Sequence, residues 1–134
     1  MSDSDRRDSP EQAEFREYCQ TWLASNRPPD PTCRLPLSAL EIMTEEQLGY
    51  LQSWQKSAYD AGLVGCDYPE AVGGGGRKDC QRVANEEMLA ARTPYFPNII
   101  GLGMAAPTVF YHAQDALKER LLPRLFSGED IWCQ

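Results

Sequence analysis

Residues 98 to 112 decide the fold: Asn98-Ile99-Ile100-Gly101-Leu102-Gly103-Met104-Ala105-Ala106-Pro107-Thr108-Val109-Phe110-Tyr111-His112. Apolar side chains stand at almost every position, so a helix here has no wet face and is expected to be buried inside a domain. Gly101, Gly103, Ala105 and Ala106 let a neighbouring backbone, or a ligand, approach closely. Pro107 is expected to kink the helix or split it into two pieces. At about 15 residues, or roughly 22 Å, the segment falls short of the ~20 apolar residues a bilayer span needs.

Downstream, a helix is expected from about Asp115 to Phe126, with Leu117, Leu121, Leu122 and Leu125 inward and Lys118, Glu119 and Arg120 outward. Pro123 threatens its last turn, and Gly128 stops it. The final residues, Ile131 to Gln134, read as the first residues of a β-strand and as the start of a further domain.

Upstream, the signals are caps and stripes. Ser9 caps a helix with Pro10 at its first position and Gln12 completing a capping box. Phe15, Tyr18, Cys19, Trp22 and Leu23 then follow at helical spacing. The prolines at 28, 29 and 31 cannot continue it, so residues 27 to 43 form a long connection. Thr44 and Gln47 make a second box, and Leu48, Leu51, Trp54, Ala58 and Ala61 form the stripe behind it. Gly62 is placed to end that helix in a left-handed turn. Leu63 to Pro69 reads as an extended connection and Ala71 to Gly76 as a loop. A third helix is expected from about Lys78 to Ala91, with Cys80, Val83, Ala84, Met88 and Ala91 inward and Glu87 on the same stripe. No alternating pattern precedes Ile131. The expectation is an all-α domain of about five helices over residues 9–130, after eight disordered residues.

Composition narrows the function. The 134 residues are one domain's worth of chain, 42% hydrophobic and 25% charged, long enough to bury roughly two-thirds of the unfolded surface. A net charge of −7 with 13 scattered basic residues argues against nucleic acid, which is held by clustered Lys and Arg. Cys19, Cys33, Cys66, Cys80 and Cys133 contain no Cys-x-x-Cys pair and are odd in number, the pattern of free thiols in a reducing compartment. The polar, acidic N-terminus has no signal-peptide core. A cytoplasmic chain without a membrane span or bound metal is expected.

Three features invite a catalytic reading and are better read structurally. The run Gly73 to Gly76 has Arg77-Lys78-Asp79 after it and no strand before it, so it lacks the order of a phosphate loop or a dinucleotide fingerprint. It is expected to be a tight turn feeding a helix. Glu86 and Glu87 diverge by about 100° on a helix, so Glu86 is expected in solvent and Glu87 paired against a neighbouring helix, the two not sharing one ion. His112 ends an apolar helix with no catalytic partner in a recognisable context, and suits the helix dipole there.

Five segments, in order, carry a family resemblance. Phe15 to Leu23 is similar to a first helix of the form Phe…Leu/Trp-Leu. Trp54 to Leu63 (WQKSAYDAGL) resembles a helix ending Leu-Tyr-x-Ala-Gly. Tyr68 to Gly76 (YPEAVGGGG) resembles Trp-Pro-x-Glu-Tyr-Gly-Gly-x-Gly, with Tyr for Trp and one residue fewer. Glu86 to Ala90 (EEMLA) resembles Glu-Glu-apolar-Ala-Arg, with Arg92 one place late. Leu122 to Glu129 (LPRLFSGE) resembles Leu-Pro-x-apolar-x-Ser-Gly-Glu. Over about residues 14–134 the chain resembles the N-terminal helical domain of the acyl-CoA dehydrogenases.

That resemblance implies an FAD enzyme that oxidises an acyl-CoA thioester to the enoyl form. It implies a helical N-terminal domain, a middle β-domain and a C-terminal helical bundle that carries the glutamate base. The N-terminal helices form one wall of the acyl pocket, so no catalytic residue is expected in this chain. Leu102, Ala105, Ala106 and Val109 share one helix face and are implied as pocket-lining. Cys133 and Gln134 fall where the flavin-contacting segment starts, and are implied as its neighbours. The family's Ser/Thr-Glu-Pro-Gly loop would come after Gln134, so the chain is expected to be incomplete by itself and to bind neither FAD nor acyl-CoA tightly. The Gly101–Pro107 stretch and the ending Ile131 to Gln134 lean toward bacterial members acting on bulky or steroid-like acyl groups. The alternatives are one half of a split enzyme, bound to a partner chain carrying the other domains, and a non-catalytic interaction module with an exposed apolar face. A third is an intact enzyme with a site of its own.

Overall fold

The computed structural model describes residues 8–134, in which five α-helices are the main elements and no strand occurs. They are α1 (Pro10–Asn26), α2 (Glu45–Asp60), α3 (Gln81–Ala90), α4 (Ala106–His112) and α5 (Asp115–Ser127). Helix α1 packs on α3, and α5 packs on both α2 and α4. The core between them is built from Phe15, Cys19 and Leu23 of α1, Trp54 and Ala58 of α2, Val83, Ala84 and Met88 of α3, and Leu122, Leu125 and Phe126 of α5. No helix among the described residues is long and apolar enough to cross a membrane.

Both capping boxes form, Ser9 with Gln12 and Thr44 with Gln47, each closing from side chain to backbone in both directions. Gly62 and Gly128 take positive φ, 88° and 79°, at the ends of α2 and α5. Residues 27–43 form the long connection, interrupted by one 3₁₀ turn at Ala39–Glu41.

Four expectations need correction. Helix α3 starts at Gln81 rather than Lys78, because Asp79 is left-handed at φ 54° and the Asp67 carboxylate accepts the N–H groups of Cys80 and Gln81. A helix start capped from 13 residues away leaves no local trace. Helix α5 runs through Pro123 to Ser127. The proline frees only the carbonyl of Glu119, four residues earlier, and Glu119 is exposed to water.

The third correction concerns the apolar helix. Gly101–Ala105 is wound as a π-turn in which the Ala106 N–H reaches back to the Gly101 carbonyl, and α4 continues from it. Pro107 has no N–H to give, and its ring would strike the carbonyl four residues back in a tight helix; the widened turn relieves this. Nor is the helix buried on every side. Gly101 and Ala106 are enclosed, but Met104 is 49% and Tyr111 76% exposed, with Ile99 also outward. Leu117 of α5, expected inward, is exposed too. Helix α4 has α5 on one side and no described element on the other.

The fourth is Asp8, counted with the disordered residues. Its carboxylate is held by Arg16 at 2.7 Å, with its side chain only 3% exposed. Residues 1–7 lie outside the described residues. Residues 131–134 are irregular; a strand is defined by its partner, and none is present among the described residues.

Candidate functional site: an apolar cavity beside the widened turn

The glycine run is a turn that leaves nothing for a phosphate. The N–H groups of Gly73, Gly74, Gly75, Gly76 and Arg77 all donate to main-chain carbonyls, those of Glu70, Pro69, Gly65, Tyr68 and Cys66. Side chains are excluded there as well: a Cβ on Gly74 would lie 2.2 Å from the Tyr68 carbonyl oxygen. The run folds back on residues 65–70 and positions Tyr68, whose ring meets Phe110 edge-on and Phe126 at 4.9 Å between centroids.

Behind Tyr68 lies a cavity of about 260 Å³ whose walls include Tyr68, Gln81, Phe96, Leu102, Gly103 and Phe126. It forms where the π-turn, the 64–68 segment, α3 and α5 meet. Two glycines give it room. A Cβ on Gly65 would touch the Phe126 ring at 3.1 Å, whereas one on Gly103 would meet nothing within 4 Å. Two amides, Gln81 and Asn85, stand at the wall and are bonded to each other: Gln81 accepts the Cys66 N–H and donates to the Leu63 carbonyl and to Asn85 Oδ1. No carboxylate, histidine, lysine or arginine lines it. Most of its wall is apolar, the chemistry suited to an apolar group.

A larger hollow, about 740 Å³, opens between α1, α2 and the end of α5. Its one cation, Lys56, is bound to Asp60 on its own helix at 2.6 Å. None of the residues expected at a site lies there.

The expected pocket residues separate on folding. Leu102 lines the cavity. Ala105 and Val109 are half-buried against the core, and Ala106 is fully enclosed. Cys133 and Gln134 are both exposed at the end of the chain. Their main-chain N–H groups have no acceptor among the described residues, and the Trp132 indole Nε1–H beside them is buried without one.

Missed by sequence reasoning are three buried polar side chains, Arg16, Gln55 and Asn98, and one exposed capping carboxylate, Asp67. Arg16 donates to Asp8, to Glu86 at 2.7 Å and to Glu87 at 2.8 Å. So the two adjacent glutamates do share one ion, because the guanidinium is a fork wide enough to meet diverging carboxylates with different nitrogens. Glu86 is also bound by Arg82. Glu87 is paired to a neighbouring helix as expected. Hydrogen bonding to Arg16 holds the Asp8 and Glu86 carboxyls below their ordinary range. This is a clamp between α1 and α3, with no acid or base free. Gln55, fully buried, donates to the carbonyls of Leu125 and Phe126. Asn98, also fully buried, bonds to the end of α5 and to the tail beyond it. Asp67 caps α3.

All five cysteines are free thiols. Burial pushes the Cys19 and Cys66 thiols up to about 12, which makes them inert packing groups. His112 is exposed at the end of α4. Among the described residues no cluster of His, Cys, Asp or Glu could hold a metal ion.

Fold and cavity together describe a helical domain with a largely apolar cavity beside its widened turn. Residues 9–129 match the family described as Acyl-CoA dehydrogenase, N-terminal domain. The chain belongs to that family. It is similar to Acyl-CoA dehydrogenase IpdE1 of Mycobacterium tuberculosis, 30% identical over 122 residues, which are 90% of this chain and 31% of that protein. It is also similar to Acyl-CoA dehydrogenase FadE34 of the same organism, 32% identical over 60% of this chain and 11% of that protein. A chain in the crystal structure of the ChsE4-ChsE5 complex from M. tuberculosis shares the fold at a TM-score of 0.63 and 21% identity, over 91% of this chain and 29% of that one. The chain thus spans less than a third of the length of these relatives.

Proposed function

We propose that this chain is the N-terminal domain of an FAD-dependent acyl-CoA dehydrogenase and forms one wall of its acyl pocket. The observation that carries the reading is the largely apolar cavity beside the π-turn, lined by Leu102 and Gly103 and without a carboxylate, histidine, lysine or arginine in its wall. An acyl chain needs to be enclosed and kept from water, and needs nothing else from this wall. The flavin, when bound, accepts the hydride from the β-carbon of the thioester. The residues present fit the edge of a flavin site: exposed main-chain donors at Cys133 and Gln134, and the unpartnered Trp132 indole N–H. The glutamate base belongs to the C-terminal bundle of the family, outside these residues.

The outward apolar residues Ile99, Met104, Tyr111 and Leu117 are read as the flank on which the other domains pack, carried by the same polypeptide or by a partner chain. ChsE4-ChsE5 is a two-chain complex, and this supports the partner arrangement. We read it as part of a cytoplasmic enzyme, in keeping with its free thiols, that acts on fatty or steroid-like acyl groups. Co-expression with the coding region downstream, then purification and an absorbance scan near 450 nm, tests the proposal. A yellow assembly that dehydrogenates acyl-CoA is expected. A colourless assembly without turnover, or flavin held by the 134 residues alone, would overturn it.

A further inference from the structure

Among the described residues, Asn98 is the side chain that joins the start of the apolar helix, the end of α5 and residues 130–132. It is fully buried. Its Nδ2 donates to the carbonyls of Leu125 at 2.8 Å and Asp130 at 3.0 Å, and its Oδ1 accepts the main-chain N–H of Trp132 at 2.9 Å. Both donor hydrogens of the amide are therefore used, and the acceptor fixes which way the group points. The helix is shaped around it: a Cβ on Gly101 would lie 2.4 Å from Asn98 Oδ1. From the other side Arg124 grips the Asp130 carboxylate with two nitrogens, at 2.8 and 3.0 Å. The residues beyond, Cys133 and Gln134, have no side-chain bond among the described residues, so Trp132 is the last fixed point of the tail.

We infer that Asn98 is the positioning residue that aims residues 131–134 at the flavin edge, while itself staying out of contact with flavin or substrate. The inference rests on the proposed place of Cys133 and Gln134 at that edge. Residues 131–134 make no ladder among the described residues, and the bond to the Trp132 N–H fixes the direction in which they leave α5. Three hydrogen bonds made by a buried amide act together, since each fixes the geometry of the others. The widened turn at Gly101–Ala105 begins three residues later and brings Leu102 and Gly103 to the cavity. One amide thus sets the registers of the acyl wall and of the tail against the same carbonyl of α5.

Amide exchange followed by NMR on the wild-type chain tests the anchoring without any substitution. Relative to their intrinsic rates, Trp132 should exchange roughly a hundredfold more slowly than Cys133 and Gln134, the combined effect of several buried bonds. Asn98→Ala should remove that protection while amides within α1 and α3 keep theirs. In the complete enzyme the same substitution should weaken FAD binding about tenfold, the cost of ordering a loosened segment at the moment of binding. Equal exchange at Trp132 and Gln134 in the wild type would overturn the inference, whether or not the variant folds. A loosened tail with unchanged FAD affinity would overturn the aiming role together with the flavin reading of Cys133 and Gln134, leaving the acyl-wall reading untouched. An assembly that binds no flavin even as wild type would instead overturn the proposed function, and the exchange result would still stand on its own.

Discussion

Arg16→Met gives the sharpest test of what holds α1 to α3. The guanidinium is 9% exposed and meets Asp8, Glu86 and Glu87 at 2.7, 2.7 and 2.8 Å. Methionine fills similar volume but leaves three carboxylates together. Arg82 still serves Asp8 at 3.2 Å and Glu86 at 2.8 Å, whereas Glu87, 13% exposed, is left with no cation among the described residues. Stripping the partner from a buried ion pair costs about 3–5 kcal/mol, and the remaining help from Arg82 puts the cost near ~3 kcal/mol. For a domain of this size that is a fall of about 10 °C in Tm. The penalty must also depend on pH. Arg16 holds the Asp8 and Glu86 carboxyls low, so their stabilisation is fully present above the unfolded carboxylate range and is lost as pH falls through the folded values. Urea denaturation of wild type and variant should show a similar gap at pH 7 and 5 and a narrower one at pH 3.5. A gap of equal size at pH 7 and 3.5, or a Tm change under about 3 °C at pH 7, would refute the clamp and reduce the cluster to surface decoration.

Gly65→Ala should cost about 1–3 kcal/mol, because φ is +71° and the new Cβ would press on the Phe126 ring at 3.1 Å; the urea midpoint measures it. Gly103→Leu should leave the Tm unchanged or higher, since a Cβ there meets open space. In the complete enzyme it should lower kcat/KM for long acyl-CoA substrates more than for short ones. Ellman titration of the native chain at pH 8 should show Cys133 reacting first and Cys33 later, with Cys19, Cys66 and Cys80 reacting only on unfolding, because burial raises all three buried thiols. Trp54→Phe, which deletes the indole bond to the Pro94 carbonyl, should lower the unfolding free energy by about 1–2 kcal/mol.

The parts of the fold legible in sequence are those whose causes lie within one helical turn. Ser9 with Gln12 and Thr44 with Gln47 announce α1 and α2 because a capping box is a local device. Gly62 and Gly128 do the same for helix ends. The start of α3 is hidden because its cap, Asp67, sits 13 residues upstream, and Arg16 looks like an ordinary surface cation because its partners Glu86 and Glu87 are some 70 residues away. The apolar helix misleads in a different way. Hydrophobicity on all sides says that every side must be covered; it does not say by what. Here α5 covers one side, and Met104 and Tyr111 stand out on the other.

The candidate site was legible only as a helix face, and the reason is geometric. Leu102, Ala105, Ala106 and Val109 share a face on a regular helix at 3.6 residues per turn, but the π-turn adds a residue between Gly101 and Ala106. It rotates the residues after it by most of the angle between neighbouring side chains. Leu102 therefore reaches the cavity while Ala106 turns into the core. The proline that forces the widening is visible at 107, and its consequence for the face is not, because a kink, a split and a π-turn all satisfy a missing N–H. The rest of the wall comes from Tyr68, Gln81 and Phe126, which no periodicity connects. The amide of Gln81 at that wall is committed to Leu63, Cys66 and Asn85. On the proposed reading such a wall would shape an apolar guest and leave the proton and hydride to groups outside it, in keeping with the structural roles of the glycine run and the paired glutamates.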